Sequence, residues 1–334
     1  MNVKMYHKSF SDNLIDQIKQ KKSIICIGLD PRIEESGSKI PQIIMERAKN
    51  NYNDAIWEFN KEIIDHTCEI TPIFKPNIAF YSKYNALDAL KKTIDYIHEK
   101  KTLVILDAKR NDIGSTAEAY AYAIFENFKA DAVTFNGYLG SDGIAPFLKY
   151  VPKGKGVIVL LKTSNKSSGE FQDLFSISIP EIPPSEIETT IEKGILIRNY
   201  IQMARLIKLW GENPKLVGEG NSYGTYGYSN ILGVVGATFP EQMKLIRKEI
   251  PKNFMLVPGY GAQGGTAKDI INSVNEDGFG AIISASRSIN FAYQKSPYKE
   301  EFDENKFGPA AGKAAKDMRE AINNALEQSG KIGY

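Results

Sequence analysis

Eight short apolar runs, many of them β-branched, constrain this chain more than any other feature. They fall at 23–29, 73–80, 102–106, 132–135, 156–161, 231–236, 254–257 and 281–285. Runs such as SIICIGL, TLVIL and GVIVLL are apolar on both faces. That suits strands buried on both sides of a parallel sheet better than half-exposed antiparallel ones. Helical periodicity recurs at 53–69, 84–100, 115–128, 191–210, 240–249, 267–274 and 306–328. Strands alternating with helices are the order of a parallel α/β fold. The count predicts a (β/α)8 TIM barrel, although strand number alone also fits a doubly wound sheet.

One interval breaks the rhythm. About seventy residues separate the fifth run from the sixth, and 163–190 is rich in Ser, Pro and Glu. Connections of that length are usually lids, binding loops or disordered segments. The chain therefore reads as one domain over 1–334 with an insertion or lid region at 163–230.

Composition removes several function classes. Lys and Arg number 42 against 40 Asp and Glu, so the net charge is +2. No global cationic field exists to draw nucleic acid or anionic lipid. The densest basic cluster, Lys19, Lys21 and Lys22, reads as a solvated helix end. The 2 cysteines, Cys26 and Cys68, have no CxxC or paired spacing, which argues against a disulfide framework or a thiolate zinc site. His7, His66 and His98 are scattered and carry no metal or triad spacing. The first 22 residues hold no apolar leader, and no apolar run is long enough to cross a bilayer. A cytoplasmic location, with no membrane or nucleic-acid partner, is expected.

The chemistry concentrates in LVILDAKRNDIGSTA. Asp107 and Lys109 lie two apart at a strand end and so point to one side. Asp112 follows at the turn into a helix, with Thr116 one turn along the same face. A surface salt bridge with Asp112 as an N-cap is the bland alternative. Other strand ends also carry polar groups: Asp30 after the first, Lys75 and Asn77 in the second, Lys162, Thr163 and Ser164 after the fifth. Polar strand C-termini converge on one mouth in a barrel, where barrel active sites lie. After the seventh run, Gly259, Gly261, Gly264 and Gly265 free backbone N–H groups to approach an anion. Thr266 and Lys268 are expected to open a helix there. Arg287 follows the eighth run and adds a bidentate anion contact.

The DxKxxD core, together with IGLDP, FKPNIAF, LVPGYGAQGG and the final strand-end Arg, resembles the orotidine 5′-phosphate decarboxylase family in order. The likeness is to its longer (type 2) subfamily and runs from about Ile24 to Ile289. It implies a carboxy-lyase on a (β/α)8 barrel, converting orotidine 5′-monophosphate to uridine 5′-monophosphate and CO2 as the last step of de novo pyrimidine synthesis. It implies no metal and no organic cofactor, and a homodimer. By the resemblance, Lys109 delivers a proton to C6 and Asp107 sits beside the substrate carboxylate. Asp112 and Thr116 complete the neighbouring subunit's site. Asp30, Lys75 and Asn77 hold the ribose and order the charges; Thr163 or Ser164 meets the pyrimidine. Gln263, the Gly259–Gly261 backbone and Arg287 hold the phosphate, and Pro258 belongs to the substrate site beside them. The family often has Gly where Ser286 stands, before Arg287. The alternatives are a Mg²⁺-dependent sugar-phosphate decarboxylase or synthase sharing the DxKxxD core, or a non-catalytic nucleotide-phosphate binder on the same scaffold.

Overall fold

The computed structural model describes residues 8–33, 39–178, 195–218, 222–261 and 264–334. Ten strands form among the described residues: β1 Ile25–Leu29, β2 Ile73–Pro76, β3 Leu103–Arg110, β4 Ala132–Phe135, β5 Gly156–Lys162, β6 Phe175–Ser178, β7 Ile195–Arg198, β8 Ser229–Val235, β9 Asn253–Pro258 and β10 Ala281–Ala285. Eight of them close into a parallel barrel in the order β1-β10-β9-β8-β5-β4-β3-β2. These eight correspond to the eight apolar runs. The remaining two, β6 and β7, pair antiparallel as a separate ribbon inside the insertion.

The barrel forms because its strands bury both faces, inward onto the barrel core and outward onto the helices. Every residue of β1, β2, β4, β8 and β10 is buried. Helices such as Tyr52–Thr67, Leu87–Glu99 and Phe307–Gln328 cover the outside with their apolar stripes.

Helix Phe10–Lys21 sits across the N-terminal end of the barrel. Ser9 caps it by accepting from the Asp12 N–H. Ser11 donates its N–H to Asn230 Oδ1 at 2.8 Å and its hydroxyl to the Tyr228 carbonyl at 2.8 Å. Lys21 is buried at the helix end and donates to the carbonyls of Cys68 (2.8 Å) and Thr71 (2.9 Å) and to Thr102 Oγ1 (2.5 Å). It is therefore a tie between helix and barrel rather than part of a solvated helix end, and burial pushes its ammonium down to about 8. Arg247 does similar work between β9 and β10, donating to the carbonyls of Asn253 (2.8 Å) and Gly280 (2.6 Å). Cys26 and Cys68 are both buried and free.

Several expected boundaries move. The run 73–80 is not one strand: β2 stops at Pro76, and Asn77 accepts from the Ala79 N–H at 3.2 Å to start helix Ile78–Lys83. The third strand runs past 106 through the charged residues to Arg110. Within the expected helix 191–210, residues 191–194 lie outside the described residues, Ile195–Arg198 form β7, and the chain is helical over Asn199–Glu212. The expected helix 115–128 is α-helical over Gly114–Tyr122 and then π-helical over Ala123–Asn127. The expected helix 267–274 does not form. Asp269 accepts from both the N–H and the hydroxyl of Thr266, closing a turn, and only a 3-10 turn at Ile271–Ser273 follows. Residues 179–194 of the expected lid lie outside the described residues.

Gly156, the first residue of β5, faces Phe10. A Cβ there would lie 2.5 Å from the Phe10 ring. Gly156→Ala is therefore expected to lower the unfolding free energy by about 1–3 kcal/mol. Urea denaturation reads this directly; an unchanged midpoint would mean that helix Phe10–Lys21 is not seated on the barrel.

Candidate active site

The polar residues of the strand ends gather at one mouth. Parallel order places β2 and β4 on either side of β3, so their C-terminal residues meet around Asp107. Lys75 Nζ donates to Asp107 Oδ2 at 2.8 Å, and Lys109 Nζ to Asp107 Oδ1 at 2.5 Å. Thr134 Oγ1, from β4, donates to Asp107 Oδ1 at 2.8 Å. Lys75 and Asp107 are buried, whereas the Lys109 side chain is 50% exposed. Lys109 is thus held at its tip while reaching into open space.

Electrostatics follow from that packing. Burial alone would raise the Asp107 carboxyl, but Lys75 and then Lys109 outweigh it and hold the group well below the usual carboxylate range. Burial would likewise lower Lys75, but Asp107 and Asp30 outweigh it and hold the ammonium above its ordinary value. Both groups are charged at neutral pH.

Two cavities adjoin this charge chain. One, of about 380 Å³, is lined by Lys75, Asp107, Lys109, Thr163, Ser164 and Pro258 among others. The second, of about 370 Å³, shares Lys75, Asp107 and Pro258 and is lined further by Asp30, Asn77, Gly259, Ser286 and Arg287. Together they make one cleft with the charge chain at its centre. One end holds hydroxyls; the other holds an arginine and glycine backbone. Gly259 and Gly261 both have positive φ (99° and 68°), which only glycine adopts freely. An oxygen of Asp30 is buried without a hydrogen-bond partner among the described residues, which leaves an acceptor for a bound hydroxyl.

Three expected residues lie apart from this cleft. Asp112 Oδ1 accepts from the adjacent Ile113 N–H at 2.9 Å. Among the described residues it makes no ion pair with Lys109, so within one chain Lys109 meets a single carboxylate. Thr116 is exposed. Asp112 does not cap the following helix, whose N-cap is Ile113 with no side-chain bond. Gly261 lines a neighbouring groove with Ser288 and Tyr298. Gln263 lies outside the described residues.

Lys162 does not enter the cleft either. It is fully buried and donates to Asp173 (2.8 Å) and Ser168 (3.0 Å), pinning the loop that follows β5. Gln172, on that loop, then fixes the cleft wall: its Oε1 accepts the Thr163 N–H at 2.9 Å and its Nε2 donates to Thr163 Oγ1 at 2.8 Å. Gln172 and Thr134 went unnoticed in the sequence. A lone hydroxyl in the apolar strand AVTF was the available signal for Thr134; Gln172 had none. Ser286 has φ of −126°, so no glycine is required there. Its hydroxyl packs onto β1, where a Cβ on Gly28 would meet Ser286 Oγ at 2.0 Å.

Removing one member of a buried pair strands its partner. Lys75→Met is expected to destabilise the chain by about 3–5 kcal/mol at neutral pH. Adding Asp107→Asn should cost less than the sum of the two single changes. Because Asp107 is depressed in the folded state, its contribution is present above the ordinary carboxylate value near about 3.9 and is lost as pH falls below it. The Lys75→Met deficit should narrow in that window. Urea curves at pH 7 and in acid check this, and a pH-independent deficit would contradict it.

Comparison with known proteins agrees with this geometry. Residues 23–182 match the model of the orotidine 5′-phosphate decarboxylase / HUMPS family. An orotidine 5′-phosphate decarboxylase of Clostridium perfringens is 37% identical over 95% of this chain and 99% of its own length. One from Petrotoga mobilis is 39% identical over 94% of this chain and 98% of its own. A crystal structure described as an orotidine-monophosphate decarboxylase of Toxoplasma gondii superimposes with a TM-score of 0.74 at 32% identity, covering 97% of this chain and 99% of that one. A barrel whose strand ends carry this charge chain, matched over nearly its full length by such relatives, belongs to the orotidine 5′-phosphate decarboxylase / HUMPS family.

Proposed function

We propose that this chain decarboxylates orotidine 5′-monophosphate to uridine 5′-monophosphate, with Lys109 as the proton donor. The observation that carries the reading is the Lys75–Asp107–Lys109 chain at the centre of a two-ended cleft. The ends suit the two ends of a nucleotide. Arg287 and the Gly259 backbone take the phosphate, and the parts of Gly261 and Gln263 there are those that the family resemblance implies. Asp30, Lys75 and Asn77 take the ribose hydroxyls. Thr163 and Ser164 meet the pyrimidine.

The chemistry follows from charge. When the bond between C6 and the carboxylate breaks, CO2 leaves and the electron pair stays on C6. No neighbouring carbonyl can delocalise it. A cation already in place stabilises that charge without reorganisation. Opposite charges about 4 Å apart interact by roughly 4 kcal/mol at an effective dielectric near 20. The Lys109 ammonium then gives its proton to C6, and the neutral amine recovers one from water. Asp107 keeps the ammonium aimed and lies against the leaving carboxylate.

The same reading includes a homodimer in which Asp112 and Thr116 reach the neighbouring cleft. Their position outside their own cleft supports it. So do the exposed apolar side chains around them, Ile113, Tyr122, Tyr138 and Leu139, since such a patch marks an interaction surface. A cytoplasmic location fits the biosynthetic role, and no helix among the described residues is long and apolar enough to cross a membrane.

Ultraviolet absorbance with orotidine 5′-monophosphate tests the reaction. Conversion should proceed unchanged in EDTA, and Lys109→Ala should lose about 10³-fold or more. EDTA inhibition would point instead to a Mg²⁺-dependent sugar-phosphate enzyme, and tight nucleotide binding without turnover to a binder. Mixing Lys109→Ala with Asp112→Ala subunits tests the shared site: an intact site arises only in mixed dimers, so activity should recover to about a quarter of the parent. No recovery on mixing would place Asp112 in its own subunit's chemistry.

A further inference from the structure

We infer that Thr134, on β4, is a positioning residue for Lys109, holding the irregular end of β3 in the conformation that the reaction needs. The inference rests on the decarboxylase reading above and deepens it.

The argument begins with register. On β3, Leu106 pairs with Val133, but the next pairing is Arg110 with Phe135. Four steps along β3 therefore match two along β4. Asp107, Ala108 and Lys109 together face the single residue Thr134. A bulge of this kind leaves backbone groups without ladder partners. It also turns the chain sharply: Lys109 has φ of 45°, a left-handed conformation rare for a long side chain.

Thr134 supplies what the ladder lacks. Its Oγ1 accepts the N–H of Ala108 at 3.0 Å and the N–H of Lys109 at 3.0 Å. Those two bonds occupy both lone pairs of the hydroxyl, so its own proton has one destination, Asp107 Oδ1 at 2.8 Å. One side chain thus fixes the backbone of the proton donor and the carboxylate that aims its tip. Thr134 is 1% exposed, so water has no ready access to substitute. A hydroxyl with a smaller stem can make the same three bonds; an isosteric hydrocarbon can make none.

The consequence lies in the geometry of the reaction rather than in affinity. The phosphate and ribose contacts proposed above come from other strands, so loss of the Thr134 hydroxyl should leave substrate binding nearly intact. Misplacing Lys109 relative to C6 should slow the chemical step.

The test compares Thr134→Val with Thr134→Ser, reading kcat and KM for orotidine 5′-monophosphate separately at a temperature where both are folded. Thr134→Val should lose about 10–100-fold in kcat with KM within about twofold of the parent. Thr134→Ser should recover most of that loss. If Thr134→Val does not fold, Thr134→Cys replaces it, with its weak S–H donor giving an intermediate kcat. The inference is overturned if kcat is unchanged without the hydroxyl, if Thr134→Ser is as slow as Thr134→Val, or if KM alone moves. An inactive parent protein would instead defeat the decarboxylase reading itself.

Discussion

A carboxylate at the mouth of an apolar barrel has to be neutralised where it stands. Asp107 is buried, and an unpaired ion there costs several kcal/mol, as about the least its desolvation demands. The molecule meets that demand from three adjacent strands. Lys75 comes from β2, Lys109 from β3 itself and Thr134 from β4. A closed parallel sheet is what makes this arrangement available, because it brings every strand C-terminus to the same rim. Such a pair is weak evidence for stability. Its effect is to fix two cations at a defined place beside an open cleft.

Three lysines of this chain show how far context governs one residue type. Lys21 is buried against carbonyls and a hydroxyl, and burial pulls its ammonium down to about 8. Lys162 is buried against Asp173 and under the Phe239 ring, 4.4 Å away, and pins a loop. Lys109 is the one of the three that is half-exposed, with its tip held by a buried carboxylate. A lysine so placed keeps a charged, directed donor in contact with the cleft. The other two spend their donors on the protein itself.

The barrel was legible because period and burial agree. Runs apolar on both faces became the buried strands, and Asp107, Lys109, Lys75 and Arg287 could be placed at the rim from strand ends alone. Two of the differences share one cause: side chains that bond to the local backbone override periodicity. Asn77 turned the second half of an apolar run into a helix start, and Asp269 folded an expected helix into a turn. The third strand extends beyond its apolar run because a bulge holds its charged last residues in the sheet. Lys21 departs from expectation because a basic helix end normally faces water, and nothing in the sequence says that Thr71 and Thr102 lie beside it. Long-range partners of this kind have no local signature.

The cleft's two ends share Lys75, Asp107 and Pro258, and that continuity shapes how binding can serve chemistry. Under the decarboxylase reading, a phosphate at the Arg287 end takes no part in bond breaking. Its binding energy helps the reaction only if the two ends move as one body, so that holding the phosphate also holds C6 against Lys109. The sheet provides that rigidity. β9 and β10 carry the phosphate end, β2 and β3 carry the charge chain, and β1 joins the two sets by pairing with both β10 and β2. Gly28, in β1, lets Ser286 pack directly against the strand, so the residue before Arg287 is seated on the element that leads to Lys75. A site assembled on strands has little slack between its anchor and its reacting centre, and remote binding then becomes alignment.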